Sequence, residues 1–363
     1  MATKTNQYQA PIVFHPGETL AEKLQELDMG PKEFAIRANK PEKTVSAILS
    51  GQSSITPDMA VQFESVLKMP AHFWMRLQRD YDEFQARMAH KKRIQSAMAW
   101  AKMFPLKEMA KNEWIPHVDS LESATEALLA FFGVSNQTAW EEYYYNQQLK
   151  VAFRISLAHT QQPHAISAWL RRGELQAAQL STNEYQDRVF KDKLPEIKQL
   201  MAHQPADFFQ RLQGLCAEAG VKVVHTPCIS KAPISGSTRW LNDTPLIQLT
   251  GRYKRNDSFW FTFFHEAGHI LLHGKKDVFL EAVDYSDKDF EKEKQADDFA
   301  VKWTLSLEQE EEILKRFRIT EEDVLAFAEK FNTHPSIIIG RLHHKKLLHP
   351  SQGRQFIQPV SFE

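Results

Sequence analysis

The stretch "FTFFHEAGHILLHGKK", Phe261–Lys276, sets His265, His269 and His273 at four-residue intervals, with Glu266 beside the first. That spacing puts His265 and His269 on one face of an α-helix, one turn apart. Both imidazoles can then meet a single Zn2+ at about 2.0–2.1 Å. Glu266, one position on, reaches the water at the open coordination position, which is the H-E-x-x-H arrangement of zinc peptidases. The competing reading is an apolar core helix whose histidines are merely satisfied. Two features weigh against it. Phe263, Phe264, Ile270 and Leu271 bury the helix, where uncompensated polar side chains are costly. Downstream, "EKEKQADDFA" offers Glu293 and Asp297 on one helical face.

His273 is badly placed as the third ligand. Two helical turns separate it from His265, roughly 12 Å along the axis. The pattern H-E-x-x-H-x-x-G-x-x-H also fails, because Leu272 and Lys275 stand where Gly and His are required. Glu293 is the better ligand, giving the His2Glu set of a catalytic zinc with one open position. Asp297, one turn on, suits the free ring N–H of a ligating histidine. His273 is then a helix-end residue near Gly274. In this scheme Glu266 takes the proton of the metal-bound water and passes it to the leaving amine.

"HEAGHILLHG" followed by E-x-Q-A-D-x-F-A resembles the ImmA/IrrE metallopeptidases over about residues 215–345. The resemblance implies His265, His269 and Glu293 as ligands and Glu266 as the catalytic acid/base. It also implies site-specific cleavage of a regulatory protein, often a DNA-bound repressor. Candidates for stabilising the oxyanion are Arg239, Tyr253 and His343, with a structural role the stronger reading of each.

Other elements must carry this helix. After Gly220, "VKVVHT", "ISGSTRWL" and "PLIQLTG" read as strands separated by Pro, Gly and Asn-Asp turns. The last of them, at a sheet edge, would hold substrate by strand addition. Thr320 with Asp323 is a capping signal for a helix near the end of the chain. Between about Gln85 and Gly220 the text is helical, with amphipathic "HAISAWLRRGELQAAQL" and no low-complexity linker. Its basic stretch "RMAHKKR", Arg87–Arg93, reads as a solvated helix face, with supplementary DNA contacts as the functional alternative.

The start is different again. "PGETLAEKLQELDMG" carries Leu20, Leu24 and Leu27 at helical spacing and stops at Gly30. "PKEFAIRAN" follows, with Pro31 suited to a first-turn position. "PEKTVSAILSG" turns Val45, Ile48 and Leu49 inward, and Thr56 caps the helix after it. Helices this short must form one bundle. Residues 14–82, through "FWMRLQRDYDE", resemble HigA-type antitoxins of the lambda-repressor-like helix-turn-helix class. The resemblance implies that "PEKTVSAILSG" enters the major groove of duplex operator DNA, presenting Glu42, Lys43, Ser46 and Ala47. Lys40 and Gln52 flank it and reach phosphates. Charges over Met1–Ser50 balance, six Lys/Arg against six Asp/Glu, so affinity would depend on a homodimer.

The bulk numbers exclude little else. A net charge of -1 over 363 residues announces no global partner field. "FWFTFF" is too short to span a bilayer, and the first residues lack the apolar core of a secretory signal. Cys216 and Cys228 form no C-x-x-C pair and suit a reduced, cytoplasmic chain. The expected fold is mostly α with a small α+β domain. It comprises a five-helix helix-turn-helix bundle (1–84), a helical connecting region (85–214) and a zincin-like domain with a small sheet (215–363). The expected function is a DNA-binding, antitoxin-like regulator carrying a zinc metallopeptidase, with a cognate toxin or a repressor as protein partner and no membrane partner. The alternative is an antitoxin whose last domain is a non-catalytic toxin-binding or ligand-sensing module.

Overall fold

The computed structural model describes residues 13–144, 163–230, 232, 234–252, 254–273, 275, 279–280 and 287–362. The chain divides into two compact units, Met1–Ser96 and Ala97–Glu363.

The first unit holds α1 (Pro16–Glu26), α2 (Pro31–Arg37), α3 (Glu42–Leu49), α4 (Pro57–Leu67) and the start of α5 (Ala71–Ala101). Leu20, Leu24, Phe34, Val45, Ile48, Phe63 and Trp74 form its core. Phe34, Phe63 and Trp74 meet edge to face. Each Phe buried this way contributes roughly 1.5–3 kcal/mol, which no single short helix supplies alone. Thr56 Oγ1 caps α4 by accepting from Met59 N at 3.3 Å. One boundary differs from the sequence reading. Helix α1 ends at Glu26, because Asp28 enters the left-handed region and Met29 N bonds back to Leu24 O. Leu27 is consequently exposed, and Gly30 serves as N-cap of α2 rather than as the stop of α1.

The second unit begins with α6 (Leu106–Lys111), α7 (Leu121–Phe132), α8 (Gln137–Trp140), α9 (Pro163–Ala177), α10 (Asp187–His203) and α11 (Phe208–Glu218). A four-stranded sheet follows, in the order β1-β3-β2-β4. Strand β1 (Lys222–His225) runs parallel to β3 (Thr244–Leu249), while β2 (Gly236–Leu241) runs antiparallel to β3 and to the two-residue β4 (Phe279–Leu280). The run "PLIQLTG" therefore lies inside the sheet, with both its edges hydrogen-bonded. It offers no free edge to a peptide, which corrects the expectation of strand addition there.

Helix α12 (Asn256–Leu272) packs on β2 and β3, and α13 (Asp287–Thr304) packs along α12. Gly268 permits that approach, since a Cβ there would stand 3.2 Å from Phe299 Cβ and 3.3 Å from Ala296 Cα. The chain continues through α14 (Leu307–Leu314), α15 (Glu321–Phe331) and α16 (Pro335–His344). The Thr320–Asp323 capping box opens α15 as the sequence suggests. Helix α9 is less amphipathic than its sequence reads. Ala165 through Leu170 are all buried, because α9 covers part of the second face of the sheet.

Candidate metal centre

Helix α12 carries His265 and His269 almost wholly buried, at 3% and 1% exposure. Their Nε2 atoms face each other at 3.0 Å. Glu293, from α13, brings its carboxylate oxygens within 3.2 Å of His265 Nε2 and 3.4 Å of His269 Nε2. The far sides of both rings are engaged as well. His265 Nδ1 lies 2.9 Å from Asp297 Oδ1, and His269 Nδ1 lies 3.0 Å from His273 Nδ1.

These contacts test whether the residues suit a metal ion. Asp297 takes the Nδ1–H of His265 and leaves Nε2 as a lone pair. His273, with its Nε2–H donated to Gln295 Oε1 at 3.2 Å, offers its Nδ1 lone pair to the Nδ1–H of His269 in the same way. Two ring lone pairs and a carboxylate then converge on one point with no proton between them. Acceptors facing acceptors repel unless a cation joins them. Ligand atoms at 2.0–2.1 Å on a tetrahedron are about 3.3 Å apart, and the observed separations bracket that value. The set fits a divalent metal with nitrogen and oxygen preference.

Ionisation points the same way. Burial drives the His269 pKa down to about 4, outweighing the carboxylate beside it. Burial alone would raise Glu293, but positive charge at the His265–His269 pair, a proton or a metal ion in its place, reverses this and holds it down at about 2. A neutral imidazole and an ionised carboxylate are the metal-binding forms of each.

Glu266 is fully buried next to this cluster. Thr238 Oγ1, from β2, donates to Glu266 Oε2 at 2.6 Å and lies 2.9 Å from Glu266 O. Gly236 makes the room. A Cβ there would stand 2.7 Å from Glu266 Oε1 and 2.6 Å from Thr262 Cγ2. No motif in the sequence announces Thr238, which is 28 residues from its partner. His273 stands at the end of α12, as its place before Gly274 suggests, and its four-residue spacing also brings it to His269.

The sheet separates Arg239 from this site. Side chains alternate across a strand, so Thr238 and Arg239 face opposite ways. Arg239 is buried against α9, where it pairs with Glu174 at 2.9 Å and donates to Leu170 O and Gln248 Oε1. Its candidacy as an oxyanion donor is thereby removed. His343 Nε2 is engaged by Gln352 O at 2.8 Å, and Tyr253 lies outside the described residues.

In the first unit, α3 buries Val45 and Ile48 and leaves Glu42, Lys43 and Ser46 exposed, with Ala47 half-buried. Gln52 is exposed just beyond. Lys40 is occupied by Asp58 at 2.5 Å, so a phosphate would have to share or displace that carboxylate.

A helix-turn-helix bundle followed by an α+β domain with a two-histidine, one-glutamate cluster is a two-part architecture. Comparison with known proteins agrees for each part. Residues 216–343 match the IrrE N-terminal-like domain of peptidase family M78. The uncharacterized HTH-type transcriptional regulator YddM of Escherichia coli K12 is 33% identical over 63 residues, covering 17% of this chain and 67% of the relative. An addiction module antidote protein of the HigA family from Coxiella burnetii is 38% identical, covering 23% of this chain and 92% of that one, with a TM-score of 0.22. The Pseudomonas aeruginosa antitoxin HigA, solved with the higBA promoter, is 36% identical over 23% of this chain and 91% of that one, also at a TM-score of 0.22. The chain belongs to the HTH-type transcriptional regulators, and it carries an IrrE-like M78 domain at its carboxy-terminal end.

Proposed function

We propose that the chain is an antitoxin-like transcriptional regulator whose domain over residues 215–363 is a zinc metalloendopeptidase acting on a regulatory protein. The observation that carries this is the convergence of His265 Nε2, His269 Nε2 and the Glu293 carboxylate beside the clamped Glu266. A Zn2+ ion held by His265, His269 and Glu293 would supply a water of pKa lowered towards roughly 7 and a Lewis acid for the scissile carbonyl. Glu266 accepts the water proton and delivers it to the leaving amine. Thr238 fixes one oxygen of that carboxylate and so holds its plane. Asp297 and His273 set the tautomers of the two imidazoles and keep their lone pairs directed inward.

A purely ligand-binding domain is the competing reading. It has no use for a buried carboxylate held by Thr238 beside the ligands, and this favours the enzyme. The deciding variant is Glu266→Gln in the full chain. It should hold zinc as the wild type does, yet fail to cleave the repressor or toxin substrate, because the amide accepts no proton. Undiminished cleavage would rule out the mechanism.

The first unit, in the same proposal, reads a two-fold operator as a homodimer, with α3 in the major groove and Lys43 at a base edge. Its relation to HTH-type regulators and the exposure of Lys43 and Ser46 support this. Lys43→Ala should alter sequence preference among operators by roughly 1–3 kcal/mol at one position. Identical behaviour on operator and random duplexes, in wild type and variant, would dismiss a base-reading module. Such a regulator works in the cytoplasm. Among the described residues no helix is long and apolar enough to cross a membrane.

A further inference from the structure

The helix-turn-helix is poor in available positive charge. Lys23 is paired with Glu26, Arg37 with Glu33 and Lys40 with Asp58. Early in α5, Arg76 and Arg79 share Asp80, and Arg87 is held by Glu83. The basic side chains of this unit that make no ion pair among the described residues are Lys32, Lys43 and Lys68, which are scattered, and Lys91, Lys92 and Arg93, which are consecutive. From Phe84 to Lys107 the sequence contains no Asp or Glu. Residues 85–93 are exposed without interruption, so among the described residues nothing covers this stretch of α5 on any face. A helix that is polar and exposed all round is not held by a core, and its charges are free for a partner.

We propose that Lys91, Lys92 and Arg93 form a phosphate-binding segment that anchors duplex DNA independently of its sequence, while α3 supplies the base reading. This rests on the DNA-binding function proposed above. The segment lies in the same compact unit as the helix-turn-helix, and its charge complements a polyanion. Duplex DNA offers one charge per about 1.7 Å of axis, and each phosphate neutralised steepens the salt dependence of log K by about 0.9. Three consecutive helical residues point some 100° apart, so about two of them reach one phosphate row together.

The test measures binding of the full chain to a random-sequence DNA duplex over a salt series, wild type against Lys91→Gln/Lys92→Gln/Arg93→Gln. Glutamine keeps helix propensity at these exposed positions. The expected result is a slope of log K against log salt shallower by about 2, with affinity for a promoter duplex of the chain's own gene lowered by the same factor. An unchanged slope, with wild-type binding intact, overturns the anchor and leaves the regulator reading standing. A wild type that binds neither duplex at low salt sinks both. Binding of anionic phosphatidylserine vesicles that depends on these residues, while the DNA slope is unmoved, assigns the segment to a membrane surface and overturns the proposal.

Discussion

At the scale of single residues, the proposed metal centre separates atoms that would hold an ion from atoms that would orient those. His265, His269 and Glu293 supply the converging lone pairs, so His265→Ala, His269→Ala or Glu293→Ala should each remove the roughly one zinc per chain expected of this site. His273 and Asp297 reach the outer ring nitrogens, Nδ1 of His269 and Nδ1 of His265. Their replacement by Ala and Asn should leave zinc bound but weaken it about 10–100-fold. Metal content after dialysis against a graded chelator distinguishes the two groups. A His273→Ala protein as empty as the His269→Ala protein would show that the ligand set is wrongly drawn. Much of this centre is written in the sequence, because four-residue spacing on a helix converts directly into a shared face. Thr238 is not. Its contact with Glu266 depends on which face of β2 meets α12, and no local pattern encodes that choice.

Elements show the same contrast between local and distant causes. Caps and short helices are legible because their determinants lie within four residues, as at Thr56 and at Thr320 with Asp323. Strand order is not. "PLIQLTG" reads as a strand, but its place between β1 and β2 follows from pairing with residues upstream of the hairpin. Likewise α9 reads as uninformative, yet Gln248 Nε2 donates to Trp169 O across 79 residues of sequence. The spacing between β2 and α12 is the element-scale feature that serves the site, and Gly236 sets it. Gly236→Ala puts a methyl group against Glu266 Oε1 and Thr262, so the strand and helix must part or Glu266 must turn. Overpacking of this kind costs typically 1–3 kcal/mol. The proposed ligands His265, His269 and Glu293 should keep their metal, while turnover falls at least tenfold. Equal loss of zinc and of turnover would mean that Gly236 supports the fold rather than the position of Glu266.

For the second unit taken whole, acid stability follows from the imidazoles it holds neutral. Burial lowers the pKa of His225, His334 and His269, the last to about 4. In the unfolded chain each returns to about 6.5. As pH falls below 6.5, the unfolded state binds protons that the folded state refuses, so stability drops, and the loss ends only below the folded pKa. Where the states differ by one full proton, the slope is about 1.4 kcal/mol per pH unit. His334 makes the reason concrete, since its Nδ1 accepts from Ser336 N at 3.1 Å to cap α16, and a protonated Nδ1 accepts nothing. His225 sits stacked on Phe362 with ring centroids 3.6 Å apart, its Nε2 donating to Thr250 O. Urea unfolding of the zinc-stripped chain at pH 7, 6 and 5 should therefore show midpoints that fall steadily. His225→Gln should flatten the trend by up to one proton, because the replacement cannot titrate. With saturating zinc the fall should be offset in proportion to occupancy at neutral pH and return as protons displace the ion from His265 and His269. Midpoints independent of pH between 7 and 5 in the stripped protein would contradict neutral burial of these rings.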